Sequence, residues 1–138
     1  MKQFEFLALS EEAHIGAARR VVRRTAAEIG FDERRLAEID IVVKEIGSNA
    51  VKFGRATGQL YCARADRCVE PDGIEIIYLD KGPGIQDTST ALVDGYTTTG
   101  TLGAGLGAVK RMADEFWIYS LVESQTRKLT MYGRTTHG

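Results

Sequence analysis

Glu45, Asn49 and Lys52 stand in the stretch KEIGSNAVKFG (Lys44 to Gly54), and at about 100° per residue they fall on one side of any helix that contains them. A proton acceptor, an amide and an ammonium are thereby gathered on one face. A trio of this kind usually marks a solvated helix face. Gly47 and Ser48 argue for more, because both are small and neither is a strong helix former, so their presence suggests something large approaching this surface. A second stretch, LDKGPGIQD, puts Asp80 directly after the apolar run Ile76, Ile77, Tyr78 and Leu79. Burying a carboxylate without a partner is costly, and the exocyclic amine of adenine would supply a donor. Gly82 and Gly84 leave the backbone free for a flat ligand to come close, while Pro83-Gly84 also reads as a plain turn. The third stretch, from Gly100, alternates Gly103, Gly105 and Gly107 and then opens a helix with Ala108 and Val109. Exposed backbone N–H groups beside a helix start suit an anion, most often phosphate.

Two familiar phosphate motifs do not account for that loop. Gly103, Gly105 and Ala108 match the dinucleotide pattern G-x-G-x-x-A, but that fingerprint requires a strand immediately before it, and DGYTTTGT precedes it here. The G-x-x-x-x-G-K-[ST] pattern of a Walker-type ATPase is absent from the sequence.

The elements that must position these residues can be read from periodicity and punctuation. QFEFLAL alternates, with Phe4, Phe6 and Ala8 on one side, and predicts an opening strand. Ser10 is placed to cap a first helix, about Glu11 to Ile29, with acidic residues at the positive end of its dipole and Gly30 as its stop. Asp32 can cap a second, in which Leu36, Ile39, Val43, Ile46 and Ala50 form a continuous apolar stripe that ends before Gly54. GQLYCARAD and GIEIIYLD predict an antiparallel pair joined through the Pro-Asp-Gly turn of RCVEPDG. A helix of about Ala108 to Asp114 follows the glycine-rich segment, then EFWIYSLV and RKLTMYG form a last hairpin. The order predicts an α+β fold, a two-layer sandwich of a mixed, mainly antiparallel sheet with helices on one face.

At 138 residues and 43% hydrophobic content the chain has the size of one domain, 1–138. Its 18 basic and 19 acidic residues are interleaved, which argues against a general attraction to nucleic acid or an anionic membrane. Cys62 and Cys68 are the only cysteines, and His14 and His137 lie far apart, so neither a disulfide framework nor a zinc spacing is available. Reduced thiols in a cytoplasm fit this usage. No apolar stretch approaches a membrane span, and MKQFEFLALSEE turns acidic too early for a signal peptide. His14 reads as a helix-face histidine, Trp117 and the cysteines as core or strand filling, and Arg19, Arg20, Arg23 and Arg24 as a solvated face that could form part of a partner surface.

Taken in order, EIGSNAVKFG, DKGPGI and GTLGAGLGAVKRM resemble the N box and the two glycine boxes of the ATP-binding family shared by gyrase, the Hsp90 chaperones, histidine kinases and MutL. The likeness spans about Ala37 to Ser120 and implies the Bergerat ATP-binding fold. It implies Glu45 as the base, Asn49 as a magnesium ligand, Lys52 as a phosphate contact and Asp80 as the adenine acceptor. Gly82, Gly84, Gly103, Gly105 and Gly107 would shape the pocket and the lid over the phosphates, and Ile85, Thr99, Ala104, Leu106 and Thr130 complete the nucleotide-binding set. Family members often close the last hairpin with a Gly-Thr pair. ESQTRKLTMYG stands there in this chain, with Thr126 or Thr130 as substitutes.

Within the family the short lid and single domain look most like the bacterial partner-switching serine kinases, the anti-sigma factors and the switch kinases of the stressosome. DGYTTTGTLGAGLGAVKRMADEF is especially similar to the switch-kinase branch. Such kinases use ATP and Mg2+ to phosphorylate a serine or threonine on small STAS-type antagonist proteins, and then sequester a sigma factor or engage a PP2C-type phosphatase. The alternative is a nucleotide-sensing binding module that holds its partner without transferring phosphate. The presence of both Glu45 and Asn49 favours the enzyme; homodimer formation is left open. A sensor histidine kinase would need a phosphoacceptor histidine in a preceding helical hairpin, and His14, within EEAHIGAARR, lacks those surroundings.

Overall fold

Hydrophobic periodicity and well-placed caps give two long helices directly after a short strand. The computed structural model describes residues 4–65, 72–82, 106–121 and 124–133. Strand β1 is Glu5–Ala8, helix α1 is Glu12–Ile29 and helix α2 is Glu33–Phe53. Gly30 stops α1 in the left-handed region at φ 108, and Gly30 and Phe31 return their N–H groups to Ala27 O and Ala26 O, as a glycine terminator does. Asp32 caps α2 as predicted, its Oδ1 accepting from Arg35 N at 2.8 Å. The start of α1 differs from expectation. Its N-cap is Glu11, without a side-chain cap bond, and Ser10 instead donates its N–H to His14 Nδ1 at 3.1 Å.

Strands β2 (Gln59–Ala65), β3 (Gly73–Asp80), β4 (Glu115–Leu121) and β5 (Ser124–Tyr132) join β1 in one sheet of order β1-β2-β3-β5-β4, with the short helix α3 (Leu106–Met112) before β4. This is the expected α+β sandwich, and each described pairing is antiparallel, in keeping with the mainly antiparallel sheet that the sequence predicts. Leu60, Cys62, Ile74, Ile76, Tyr78, Leu129 and Met131 point to the helical layer and meet Ala18, Val22, Ile39, Val43 and Ile46 in one core. Burying that many apolar side chains is the dominant favourable term for a domain of this size.

On the other face the register aligns Phe6, Tyr61, Ile77, Lys128 and Trp117 across all five strands. Phe6 packs on Tyr61 with ring centroids 5.1 Å apart, and Lys128 Nζ lies 5.5 Å from the Trp117 ring centre. Trp117 is 54% exposed, so it fills a strand and not the core. Cys62 is buried; Cys68 and His137 lie outside the described residues.

At the far end of the sheet a buried guanidinium ties the layers together. Arg35 on α2 donates to Tyr132 O at 2.8 Å, to Met112 O at 2.9 Å and to Asp114 Oδ2 at 2.6 Å. Asp114 Oδ2 also accepts from Tyr132 N at 2.8 Å. The planar fork of arginine suits this set of fixed acceptors, and it fixes the end of α3 relative to α2 and β5. Two of the four arginines of α1 bridge to α2 or its start: Arg23 meets Asp40 at 2.6 Å and Glu33 at 3.2 Å, and Arg19 lies 3.8 Å from Asp40.

Candidate functional site

The site gathers where the C-terminal end of α2 meets the C-terminal end of β3. Even-numbered residues of β3 face the helices, so the alternation that buries Ile74, Ile76 and Tyr78 also turns Asp80 inward. Asp80 is 8% exposed. Oδ2 accepts from the Tyr78 hydroxyl at 2.5 Å, and Oδ1 accepts from Gly82 N at 3.0 Å. A carboxylate has about four acceptor directions, so Asp80 is desolvated, held, and still able to take a donor from a ligand.

Glycines let the ends of α2 and β3 close on each other. A Cβ on Gly82 would stand 2.1 Å from Phe53 O, and one on Gly54 would stand 2.6 Å from Ala50 O and 3.3 Å from Asp80 Oδ2. The freedom that the sequence assigned to Gly82 is thus spent on backbone packed against backbone. Thr57 adds a stitch: its Oγ1 donates to Gly54 O at 2.6 Å and accepts from Lys81 N at 2.7 Å. The last turns of α2 are therefore anchored beside Asp80.

Those turns carry the predicted trio, but its members differ in exposure. Lys52 is exposed in the last turn, where the helix dipole favours a cation, and Glu45 is half-buried. Asn49 is buried at 5% exposure, in contrast to the open face that the helical wheel suggested. Its Nδ2 has no hydrogen-bond partner among the described residues. An amide left so is costly unless something completes it. An amide oxygen suits a hard cation such as Mg2+, which is commonly held by few protein groups together with phosphates. The described residues contain no cluster of three or more His, Cys, Asp or Glu that could hold a metal. The unmatched Nδ2 is an N–H donor and binds no cation itself; the amide oxygen of Asn49 is the group that would.

Gly47 has a different role from the one its smallness suggested. A Cβ there would meet Ile15 Cγ1 at 2.9 Å, so the large group approaching α2 at this point is a side chain of α1.

Leu106 and Gly107 open α3 and are both buried. Leu106 is fully buried, so its side chain anchors the helix. Thr130 is not brought to the cluster. It pairs with Glu75 on β3 and Glu115 on β4, while Gln125 stands opposite Asp80. Gly84, Ile85, Thr99, Gly103, Ala104 and Gly105 lie outside the described residues.

Two residues of this region did not stand out in the sequence. Tyr78, fully buried, supplies the hydroxyl on Asp80, and Arg127, 1% exposed, lies with its guanidinium carbon 5.3 Å from the centre of the Tyr78 ring. Burial, then the hydrogen bond to Asp80 and its charge, push the Tyr78 hydroxyl well above the usual tyrosine range, so it remains a donor. Burial lowers Arg127 to about 10, opposed by Tyr78 and Asp80, so it is a cation at neutral pH. Strand parity signals both: Tyr78 lies two residues before Asp80, and Arg127 falls on the inward parity of β5.

Comparison with known proteins identifies the family and the fold. The profile described as the histidine kinase-like ATPase domain matches residues 8–132. The chain is 39% identical over 116 residues to the serine/threonine-protein kinase RsbT of Bacillus subtilis (strain 168), covering 83% of this chain and 85% of that protein. Its fold is similar to the crystal structure of the RsbU and RsbW domains of a Mycobacterium tuberculosis protein, with TM-score 0.62 and 19% identity over 95% of this chain and 32% of that longer one. It is also similar to the mycobacterial sensor histidine kinase MprB, with TM-score 0.53 and 19% identity over 88% of this chain and 95% of that one.

Proposed function

The chain belongs to the histidine kinase-like ATPase domain family, and from that premise we propose that it is an ATP-dependent protein serine/threonine kinase of a bacterial partner-switching pathway. The observation that carries the reading is the buried Asp80 carboxylate, pinned through both oxygens and set beside the α2 turns that bear Asn49 and Lys52. The 39% identity to RsbT supports the kinase class. No helix among the described residues is long and apolar enough to cross a membrane.

In this reading Asp80 accepts from the adenine amine, and the desolvation of its carboxylate makes the hydrogen bond discriminating. Guanine presents a carbonyl oxygen there, an acceptor opposite an acceptor. Lys52 and the glycines Gly103, Gly105 and Gly107 act on the phosphates, with Gly84, Ile85, Thr99 and Ala104 around the nucleotide. Asn49 would hold Mg2+, which when bound neutralises charge on the phosphates. Phosphoryl transfer asks a protein mainly for positioning and charge stabilisation. Glu45, half-buried on the same helix, then accepts the proton of the attacking hydroxyl.

The substrate in this proposal is a serine or threonine on a STAS-domain antagonist, and the regulated partner is a PP2C-type phosphatase or a sigma factor. The deciding experiment is transfer of labelled phosphate from ATP to a STAS-domain protein encoded nearby. Label on a serine or threonine of that protein is the expected result. Tight nucleotide-dependent binding of the partner with no transfer would replace the kinase with a nucleotide-sensing regulator.

A further inference from the structure

We propose that Tyr78 is a specificity-positioning residue of the nucleotide site: its hydroxyl fixes the Asp80 carboxylate, so that selection for a 6-amino purine depends on a side chain that does not itself touch the base. The inference rests on the reading of Asp80 as the base acceptor and adds the residue that makes it selective.

The geometry is specific. Tyr78 and Asp80 lie two residues apart on the inward face of β3, and the hydroxyl donates to Oδ2 at 2.5 Å while Gly82 N donates to Oδ1 at 3.0 Å. The terminal torsion of an aspartate is broad, so a carboxylate held on one oxygen alone could rotate away from a ligand. Two donors on different oxygens remove that freedom. The hydroxyl is itself enclosed: a methyl group on Gly54 would lie 2.9 Å from it and one on Gly58 3.1 Å from it. Both glycines flank the turn after α2, so the element that carries Asn49 and Lys52 also closes around the tyrosine oxygen. Arg127 completes the support. Its buried guanidinium carbon, 5.3 Å from the Tyr78 ring centre, places a cation against the ring face and holds it in position.

Preorganisation of this kind acts on discrimination more than on general binding. A fixed carboxylate that meets no donor on its remaining acceptor direction keeps that direction desolvated and unmatched, which is the condition under which a missing hydrogen-bonding group is rejected. A carboxylate free to turn can instead find water, and the penalty for the wrong base falls.

The test compares the dissociation constants of ATP and of purine riboside triphosphate, which lacks the 6-amine, by calorimetry on the full chain. Wild type should favour ATP by about tenfold or more, the scale of a hydrogen bond to a charged group. Asp80→Asn should abolish most of that ratio. Tyr78→Phe should reduce it by about fivefold to tenfold, and the double variant Tyr78→Phe, Asp80→Asn should lose little beyond Asp80→Asn alone, since the two act as one unit. The ratio is insensitive to the fraction of folded protein, so a merely structural role for Tyr78 would lower stability and leave it unchanged. Arg127→Lys, which keeps the charge and gives up the planar guanidinium, is the second variant; the ratio should fall there too. A wild-type ratio in either folded variant, Tyr78→Phe or Arg127→Lys, would overturn the proposal. Wild type that binds ATP without preferring it would remove Asp80 as the base acceptor and the proposal with it, and wild type that binds neither nucleotide would remove the kinase reading itself.

Discussion

Ile15 Cγ1 lies 2.9 Å from the point where a methyl group on Gly47 would stand, so α1 crosses α2 at a residue without a side chain. Isoleucine is branched at Cβ and stiff about its first torsion, and it cannot swing clear cheaply.

The contact makes the effect of Gly47→Ala depend on its neighbour. In a helix interior alanine gains about 1 kcal/mol over glycine, but overpacking a closed interface costs about 1–3 kcal/mol. Gly47→Ala should therefore destabilise the wild-type protein by about 1 kcal/mol in urea unfolding. In an Ile15→Ala background the same change should turn stabilising. Equal effects in both backgrounds would show that Ile15 is not the obstacle.

How much was legible follows from which interactions are local. The Asp32 cap, the Gly30 stop, the α2 stripe and the β2 and β3 pairing all rest on residues close in sequence. The burial of Asn49 does not: a helical wheel locates one apolar stripe, whereas α2 packs against both α1 and α3, and α3 arrives from far along the chain. The neighbour of Gly47 likewise lies on another helix, out of reach of a helical wheel. The resemblance offers Thr126 or Thr130 in place of the family's Gly-Thr pair, and the strand register sets Thr130 opposite Glu75, away from Asp80. Even residues of β5 share a face with Glu75, and the inward neighbour of Tyr78 is Arg127. Asp80 was legible because an acidic residue ending an apolar run is a local anomaly.

Arg35 and Asp114 form a pair with both side chains 3% exposed and Nη2 to Oδ2 at 2.6 Å. Removing one member of a buried pair strands the other charge, at about 3–5 kcal/mol. Arg35→Ala should lower stability by that amount and raise exchange at the backbone amides of α3, because Met112 O and Tyr132 O lose their donor. A loss under 1 kcal/mol, measured by denaturant unfolding, would show the clamp to be dispensable.

Cys62 supplies a pH signature. Burial raises its thiol from 9.0 to about 11, with a Thr25 hydrogen bond opposing, Glu5 raising and Arg24 lowering it. A group whose folded pKa is raised contributes stability that is complete below the unfolded value and lost as pH rises toward the folded one. The loss should therefore fall between about pH 9 and 11 and reach about 2–3 kcal/mol. Cys62→Ala should be less stable at pH 7 through its lost volume, yet decline less steeply across that window. Parallel curves for the two proteins would remove Cys62 from the alkaline transition.

Glu45 and Asn49 lie one helical turn apart on α2, one half-buried and the other buried with Nδ2 unmatched among the described residues. The proposed roles separate in measurement. Glu45→Gln preserves volume and removes no phosphate contact, so nucleotide affinity should stay within a few-fold while single-turnover transfer to a STAS-domain substrate falls by about 10² or more, the scale of losing a general base. Asn49→Ala removes the amide that would hold the metal, so nucleotide binding in the presence of magnesium and transfer should fall together. Thermal shifts give a second readout. Wild type should rise in Tm on adding ATP and magnesium, through the mass-action stabilisation of any ligand that binds only the folded state. Asn49→Ala should lose most of that rise. Without ligand its own Tm should change little, since the substitution also removes an amide nitrogen left unsatisfied in a buried site. A large drop in ligand-free Tm would instead make Asn49 a structural residue. Transfer at the wild-type rate by Glu45→Gln would end the claim that Glu45 is the base.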